Sequence, residues 1–149
     1  MKTSDVMTKD VITIDSQETV ETAAKTMLKH NIGGLPVLEK GKIVGIITES
    51  DFIGKRVEVP HAIGSMPELL GHWFEGVSVE SVLQDARKLQ VREVMTKNLV
   101  FVGPETPLTQ TVKTMMQRDL TRLPVLQDGK LVGLVARRDV LGAFDKLAD

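Results

Sequence analysis

The 149-residue chain contains no cysteine. That excludes disulfides, thiolate nucleophiles and cysteine-ligated zinc or iron–sulfur sites, and it is compatible with a reducing cytoplasm. Tyrosine is missing too, and four Phe with Trp73 bring aromatics to only 3%. Base-stacking platforms and aromatic cages have little to be built from. Neither sign of charge dominates: 19 basic and 20 acidic side chains leave a net charge of −1, which argues against a dedicated duplex-binding surface. No run approaches the roughly 18 apolar residues of a membrane span. The opening Met1-Lys2-Thr3-Ser4-Asp5 turns polar at once, without the apolar core of a signal peptide. The expectation is a cytoplasmic protein with no membrane association and no nucleic-acid partner.

Catalytic chemistry is equally sparse. No G-x-S-x-G, P-loop, G-x-G-x-x-G or H-E-x-x-H pattern occurs. His30, His61 and His72 are scattered, so no metal site is expected. No motif places a carboxylate pair for acid–base work, and the chain is not expected to be an enzyme. What is present is ordinary globular material, 42% apolar and 26% charged. The length suffices to bury roughly 68–70% of the surface of the unfolded chain.

An internal repeat organises this material. Val6-Met7-Thr8-Lys9 returns as Val94-Met95-Thr96-Lys97, an offset of 88 residues. At the same offset Leu35-Pro36-Val37-Leu38 falls on Leu123-Pro124-Val125-Leu126, Gly41-Lys42 on Gly129-Lys130, and Val44-Gly45 on Val132-Gly133. Asp51 falls on Asp139 and Gly54 on Gly142; residues 6–54 give 17 identities in 49 ungapped positions. Chance would give only a few, so the chain is a tandem duplication.

Both copies have the same local pattern. Val11 to Ile14 and Leu99 to Val102 are short β-rich runs. Val20, Ala23, Ala24, Met27 and Leu28, and then Leu108, Thr111, Val112, Met115 and Met116, follow the i, i+3, i+4, i+7, i+8 spacing of a one-sided helix. Pro107 suits a first helical turn. Leu35 to Leu38 and Leu123 to Leu126 are buried-strand runs, and Lys40-Gly41 and Asp128-Gly129 mark tight hairpins into Ile43 to Ile47 and Leu131 to Val135. A further helix starts near Glu49 and Arg137. The repeat is β-α-β-β-α, and one copy has too few elements to cover its own sheet, so the two are expected to pack as one module.

The chain divides into repeat one (1–57), an insert (58–91) and repeat two (92–149). The insert holds five acids against two bases, while the repeats sum to 0 and +2, so the acidic excess lies between them. The insert has a helical run near Val79 to Leu89 and the aromatic pair Trp73-Phe74, which is expected to anchor it or mark a partner surface. The Met residues on the helix faces read as core or dimer packing.

The β-α-β-β-α order, the paired Met-Thr and Leu-Pro-Val signatures and the Gly-x-x-x-x-x-Asp ending resemble tandem cystathionine-β-synthase (CBS) domains, the Bateman module. Each motif alone is weak; in order, at matching distances and twice over, they are specific. The resemblance implies an α/β (α+β) fold of two CBS-type repeats related by a pseudo-twofold axis, with two clefts that in some members bind adenosine compounds. It assigns to one cleft Thr48, Ser50 and Asp51 with Thr96, Lys97, Leu99, Thr121 and Arg122. In that assignment the Asp accepts from ribose hydroxyls, the hydroxyls and Arg122 reach phosphate, and Leu99 walls the base. The second cleft takes Ala136, Arg138 and Asp139 with Lys9, Asp10, Ile32, Gly33 and Gly34. It departs from the pattern, since Ala136 replaces the Thr and no arginine stands at the place of Arg122, while Arg138 beside Asp139 is read as restoring phosphate binding; the first is expected to be the better site. The resemblance further implies a homodimer packed through helical faces. AMP is the first candidate ligand, with ADP, ATP and S-adenosylmethionine behind it, and the implied role is energy sensing with an unidentified protein target.

Simpler readings stand beside these. Asp51 and Asp139 suit helix starts for capping alone. Arg122 and the pair Arg137-Arg138 suit solvated surface. The whole chain also fits a non-catalytic scaffold with degenerate clefts or, less well, a nucleic-acid binder.

Overall fold

The computed structural model describes residues 1–53 and 84–147. Gly54, His61, His72, the Trp73-Phe74 pair and most of the helical run expected from Val79 lie outside the described residues. The chain forms two compact units, one of residues 13–99 and one of residues 1–12 with 100–149. The repeats in sequence and the units in space therefore do not coincide: each unit is the body of one repeat joined to the leading segment of the other.

In the unit 13–99, β1 (Ile14–Asp15) lies parallel to β2 (Gly34–Glu39), which pairs antiparallel with β3 (Lys42–Thr48). The turn between β2 and β3 holds Lys40 and Gly41 both at positive φ (50° and 78°), the geometry of a tight hairpin and the reason a glycine is needed there. Helix α1 (Val20–His30) connects β1 to β2. Thr19 caps it, its hydroxyl accepting from the Thr22 N–H at 3.1 Å, and Asn31 ends it in the left-handed conformation. Val20, Ala23 and Met27 are buried on one face, against the sheet residues Leu35, Val37 and Ile47, which are fully buried. Each such aliphatic side chain contributes about 1.5–3 kcal/mol through burial. β3 runs into α2 (Glu49–Ile53). The short helix α3 (Val91–Val94), at the start of repeat two, buries Val91 and Val94 in this unit.

The second unit repeats the plan. Val102 bridges parallel to Val125; β4 (Arg122–Gln127) pairs antiparallel with β5 (Lys130–Ala136) through a turn at Asp128 and Gly129, both again at positive φ. Helices α4 (Leu108–Gln117) and α5 (Arg137–Leu147) complete it, and Val102, Met115, Leu123, Val125 and Val135 form its core. Pro107 stands at the N-cap of α4, one residue ahead of the first turn where its sequence suggested it. The opening strands are shorter than their β-rich runs: among the described residues Ile14–Asp15 pair with Val37 and Leu38, and Val102 bridges to Val125.

The leading segments are tied in by matched bonds. Thr3 N–H donates to Thr106 O (2.9 Å) as Val91 N–H donates to Glu18 O (2.7 Å), and Ser4 donates to Pro104 O as Arg92 donates to Ser16 O, both at 3.0 Å. Lys2 pairs with Glu105, whose carboxylate holds the ammonium above the usual lysine range. Among the described residues no helix is long and apolar enough to cross a membrane.

Candidate ligand-binding site

The last residue of β3, Thr48, is the N-cap of α2, and Asp51 stands three residues on. The Thr48 N–H donates to Asp51 Oδ2 at 2.7 Å, which satisfies a donor that a helix start leaves open. Asp51 is 2% exposed and lies among Val20, Ile47, Phe52 and Val94. A carboxylate in such surroundings is tolerated only with hydrogen bonds, so the cap and the burial go together. The Thr48 and Ser50 hydroxyls are 2.7 Å apart, with Thr48 buried and Ser50 exposed. The Glu49 N–H donates to the Gly33 carbonyl (3.1 Å), which brings the Ile32-Gly33-Gly34 segment to the same end of the sheet.

The other edge of β3 receives the Met-Thr segment of repeat two. Thr96 and Ile46 exchange both backbone bonds, at 2.9 and 3.1 Å. Lys97, exposed, and Leu99, half-buried, follow Thr96. Thr48, Ser50, Asp51, Thr96, Lys97 and Leu99 thus belong to one unit, although their sequence positions span both repeats.

The other unit holds the matching set. Ala136 N–H donates to Asp139 Oδ2 at 2.7 Å, and Arg137 N–H donates to Thr121 O at 3.0 Å. Thr8 and Leu134 exchange backbone bonds at 2.9 and 3.0 Å, which carries Lys9 and Asp10, both exposed, into this unit. Asp139 is half-buried, Arg138 and Thr121 are exposed, and Arg122 is half-buried at the start of β4. Of the residues grouped by resemblance with Asp51, Thr121 and Arg122 belong to this unit; of those grouped with Asp139, Ile32, Gly33 and Gly34 belong to the other. Ile32 lines the groove between α1 and α2 with Leu28 and Phe52.

Both aspartates therefore do the capping that a helix start asks of them. A carboxylate has about four lone-pair positions and accepts hydrogen bonds only. The arrangement offers acceptors, hydroxyls and cations to a ligand, and the described residues contain no cluster of three or more His, Asp or Glu side chains able to hold a metal ion.

Sequence reasoning missed the contact that brings these parts together. A β-carbon on Gly45 would meet the Met95 side chain, and one on Gly133 would meet Met7. The signal was the recurrence of Val-Gly at the same offset as Met-Thr, which marks a strand position kept bare for a crossing side chain.

Comparison with known proteins agrees with this geometry. The CBS domain family matches twice, over residues 4–58 and 91–146. An uncharacterized protein of Methanocaldococcus jannaschii is 31% identical over 97% of this chain and 91% of its own. Inosine-5′-monophosphate dehydrogenase of Korarchaeum cryptofilum is 32% identical over 89% of this chain, which spans only 22% of that enzyme. Among solved structures, the CBS domain pair of protein MJ0100, in complex with 5′-methylthioadenosine and S-adenosyl-L-methionine, is 26% identical with a TM-score of 0.73 and covers 99% of this chain and 98% of its own. With two matching segments, two units of one plan and the same pairing of Met-Thr with Val-Gly in each, the chain belongs to the CBS domain family as a tandem CBS pair.

Proposed function

We propose that the protein is a regulatory module that binds an adenosine-containing ligand, performs no reaction of its own and signals to a partner through a conformational shift. The observation that carries this reading is the cluster of Thr48, Ser50 and Asp51 at the end of β3, beside Thr96 from the other repeat. It supplies a carboxylate to accept from vicinal hydroxyls and hydroxyls to donate to phosphate. The similar pair that holds methylthioadenosine and S-adenosylmethionine supports the same ligand class. AMP stands first, because the exposed Lys97 that follows Thr96 favours an anionic ligand. The Asp139 set, with Ala136 in place of the Thr and Arg138 beside the Asp, is the weaker second site.

A ligand shifts a conformational equilibrium only through different affinities for its states, so signalling requires that the ligand prefer one arrangement of the residues around Asp51. The exposed apolar side chains Leu28, Met116, Leu141 and Phe144 on the helices support a homodimer packed through those faces. Calorimetric titration of ligand-stripped protein with AMP, ADP, ATP and S-adenosylmethionine tests the reading. Saturable heat with at least one is expected; none with any would end it.

One observation favours a second reading, a scaffold with degenerate sites: both aspartates accept a backbone N–H at a helix start, a structural role that needs no ligand. Mass spectrometry of small molecules released from natively purified protein separates the two, with an adenosine compound expected on the first reading and none on the second.

A further inference from the structure

The seven methionines carry all the sulfur of this cysteine-free chain, and two of them have a matched seat. In the unit 13–99 the Met95 side chain lies over Gly45 of β3, where a β-carbon would meet its Sδ and Cγ. In the other unit Met7 lies over Gly133 of β5, where a β-carbon would meet its Sδ, Cγ and Cε. Each thioether reaches the strand because the glycine leaves it bare. The next residue covers the edge of that strand: Thr96 exchanges two backbone bonds with Ile46, and Thr8 two with Leu134. Met7 also packs on the core that contains Leu123, Val125 and Val135.

The other described methionines are placed differently. Met1 and Met116 are exposed, and Met27 and Met115 are buried. Met7 and Met95 are half-buried, which combines access for a small oxidant with an apolar seat to lose. We propose that Met7 and Met95 are oxidation sites at which a peroxide releases the Met-Thr segment from the strand edge it covers. The sulfur attacks the peroxide O–O bond, gives up an electron pair and takes one oxygen, and the second oxygen leaves as water. The thioether is oxidised by two electrons to the sulfoxide, and the peroxide is reduced by two. A pliant apolar side chain thereby becomes polar and chiral. Its new oxygen needs a hydrogen-bond donor, and a glycine offers it no side chain, so the oxidised residue leaves its seat for water. At Met95 the release reaches the site proposed above, because Thr96 and Lys97 follow directly. That consequence rests on the ligand reading; the release itself does not.

Graded treatment with hydrogen peroxide and peptide mapping by mass spectrometry give the order of attack. Met1 and Met116 are expected first, Met7 and Met95 next, and Met27 and Met115 last. Hydrogen exchange of the intact protein then reads the strand edges. With Met95 converted, the Ile46 and Thr96 amides are expected to exchange at least about tenfold faster, and with Met7 converted the Thr8 and Leu134 amides do the same. Methionine sulfoxide reductases for both epimers, with a thiol reductant, should restore slow exchange. Met95→Leu keeps an apolar side chain that peroxide does not attack, so its β3 edge should stay slow while the Met7 edge still responds. Met95→Gln, polar without oxidant, should exchange fast from the start. Unmoved Ile46 and Thr96 amides in protein whose Met95 is fully sulfoxide would overturn the proposal. So would equal acceleration at that edge in treated Met95→Leu, or conversion of Met7 and Met95 only together with Met27 and Met115. AMP titration before and after oxidation keeps the readings apart. Fast exchange on oxidation in a protein that never bound AMP counts against the ligand reading alone, and AMP binding with unmoved exchange counts against this one.

Discussion

Met95 lies directly over Gly45: a β-carbon on that glycine would stand 2.5 Å from the methionine sulfur and 2.9 Å from the Thr96 carbonyl oxygen. The two residues come from different repeats, and their close approach accompanies the two Thr96–Ile46 backbone bonds that hold the Met-Thr segment against β3. Gly133 receives Met7 in the same way, but there the nearest atoms all belong to the flexible Met side chain. Gly45→Ala is therefore expected to destabilise the protein by about 1–3 kcal/mol, since a backbone carbonyl has to move. Gly133→Ala should cost less, and Met7→Leu should change that cost by opening or closing the same space. Urea denaturation of the single and double variants measures both. Equal costs for the two glycine substitutions would contradict the account.

Thr3 is fully buried, and its hydroxyl donates to Thr106 O at 2.9 Å and lies 2.7 Å from the Thr111 hydroxyl. The equivalent positions in the other unit hold Val91 and Ala23, both fully buried. One packing problem is thus solved once with hydroxyls and once with aliphatics. Thr3→Val alone leaves Thr111 short of a buried partner, at a cost of about 1–3 kcal/mol. Thr3→Val with Thr111→Ala copies the other unit and should recover most of that loss. A double-mutant cycle read by thermal unfolding decides, and strict additivity is the outcome that fails.

Removing a capping carboxylate has two separable effects. Asp51→Ala leaves the buried Thr48 N–H without its acceptor, and a loss of about 1–3 kcal/mol is expected. Asp139→Ala acts at a half-buried site and should cost less, nearer the ~0.5–2 kcal/mol of an ordinary cap. On the ligand reading Asp51→Ala also weakens AMP by more than about tenfold, beyond what its stability loss explains. Asp51→Asn keeps an oxygen to accept the N–H, so it should recover stability more fully than affinity. Parallel unfolding and titration of the three variants check this; unchanged AMP affinity in Asp51→Ala leaves the residue as a cap only.

Arg122 is expected to meet the phosphate and not the nucleoside. Arg122→Ala should weaken AMP by about tenfold, the value of a charge-assisted contact, and adenosine hardly at all. If calorimetry finds both ligands weakened alike, Arg122 is holding the fold of β4.

Much of the fold was legible because it depends on local chemistry. Lys40-Gly41 and Asp128-Gly129 announced hairpins, since a two-residue turn of this type needs positive φ and glycine supplies it. The apolar stripes of α1 and α4 announced the helices and the residues they bury. What the sequence did not disclose is which body each leading segment joins. Met7-Thr8 and Met95-Thr96 read identically, and Gly45 and Gly133 offer the same bare strand position in each repeat, so the sequence pattern selects neither partner. The candidate site shows the same limit. Thr48, Ser50 and Asp51 were readable as neighbours, whereas the bond that commits Asp51 to capping depends on a turn geometry that capping preference suggests and the fold decides.

The exchange of leading segments has a consequence for how such a chain folds. In this chain each repeat's arm pairs with the other repeat's strand, so neither unit is completed by its own repeat alone. Joining the two repeats in one chain makes each exchange of arms intramolecular, with an effective concentration set by the connecting chain and not by the protein's concentration. The two exchanged contacts then need not be alike, and the hydroxyl pair at Thr3 and Thr111 stands where Val91 and Ala23 stand in the other unit.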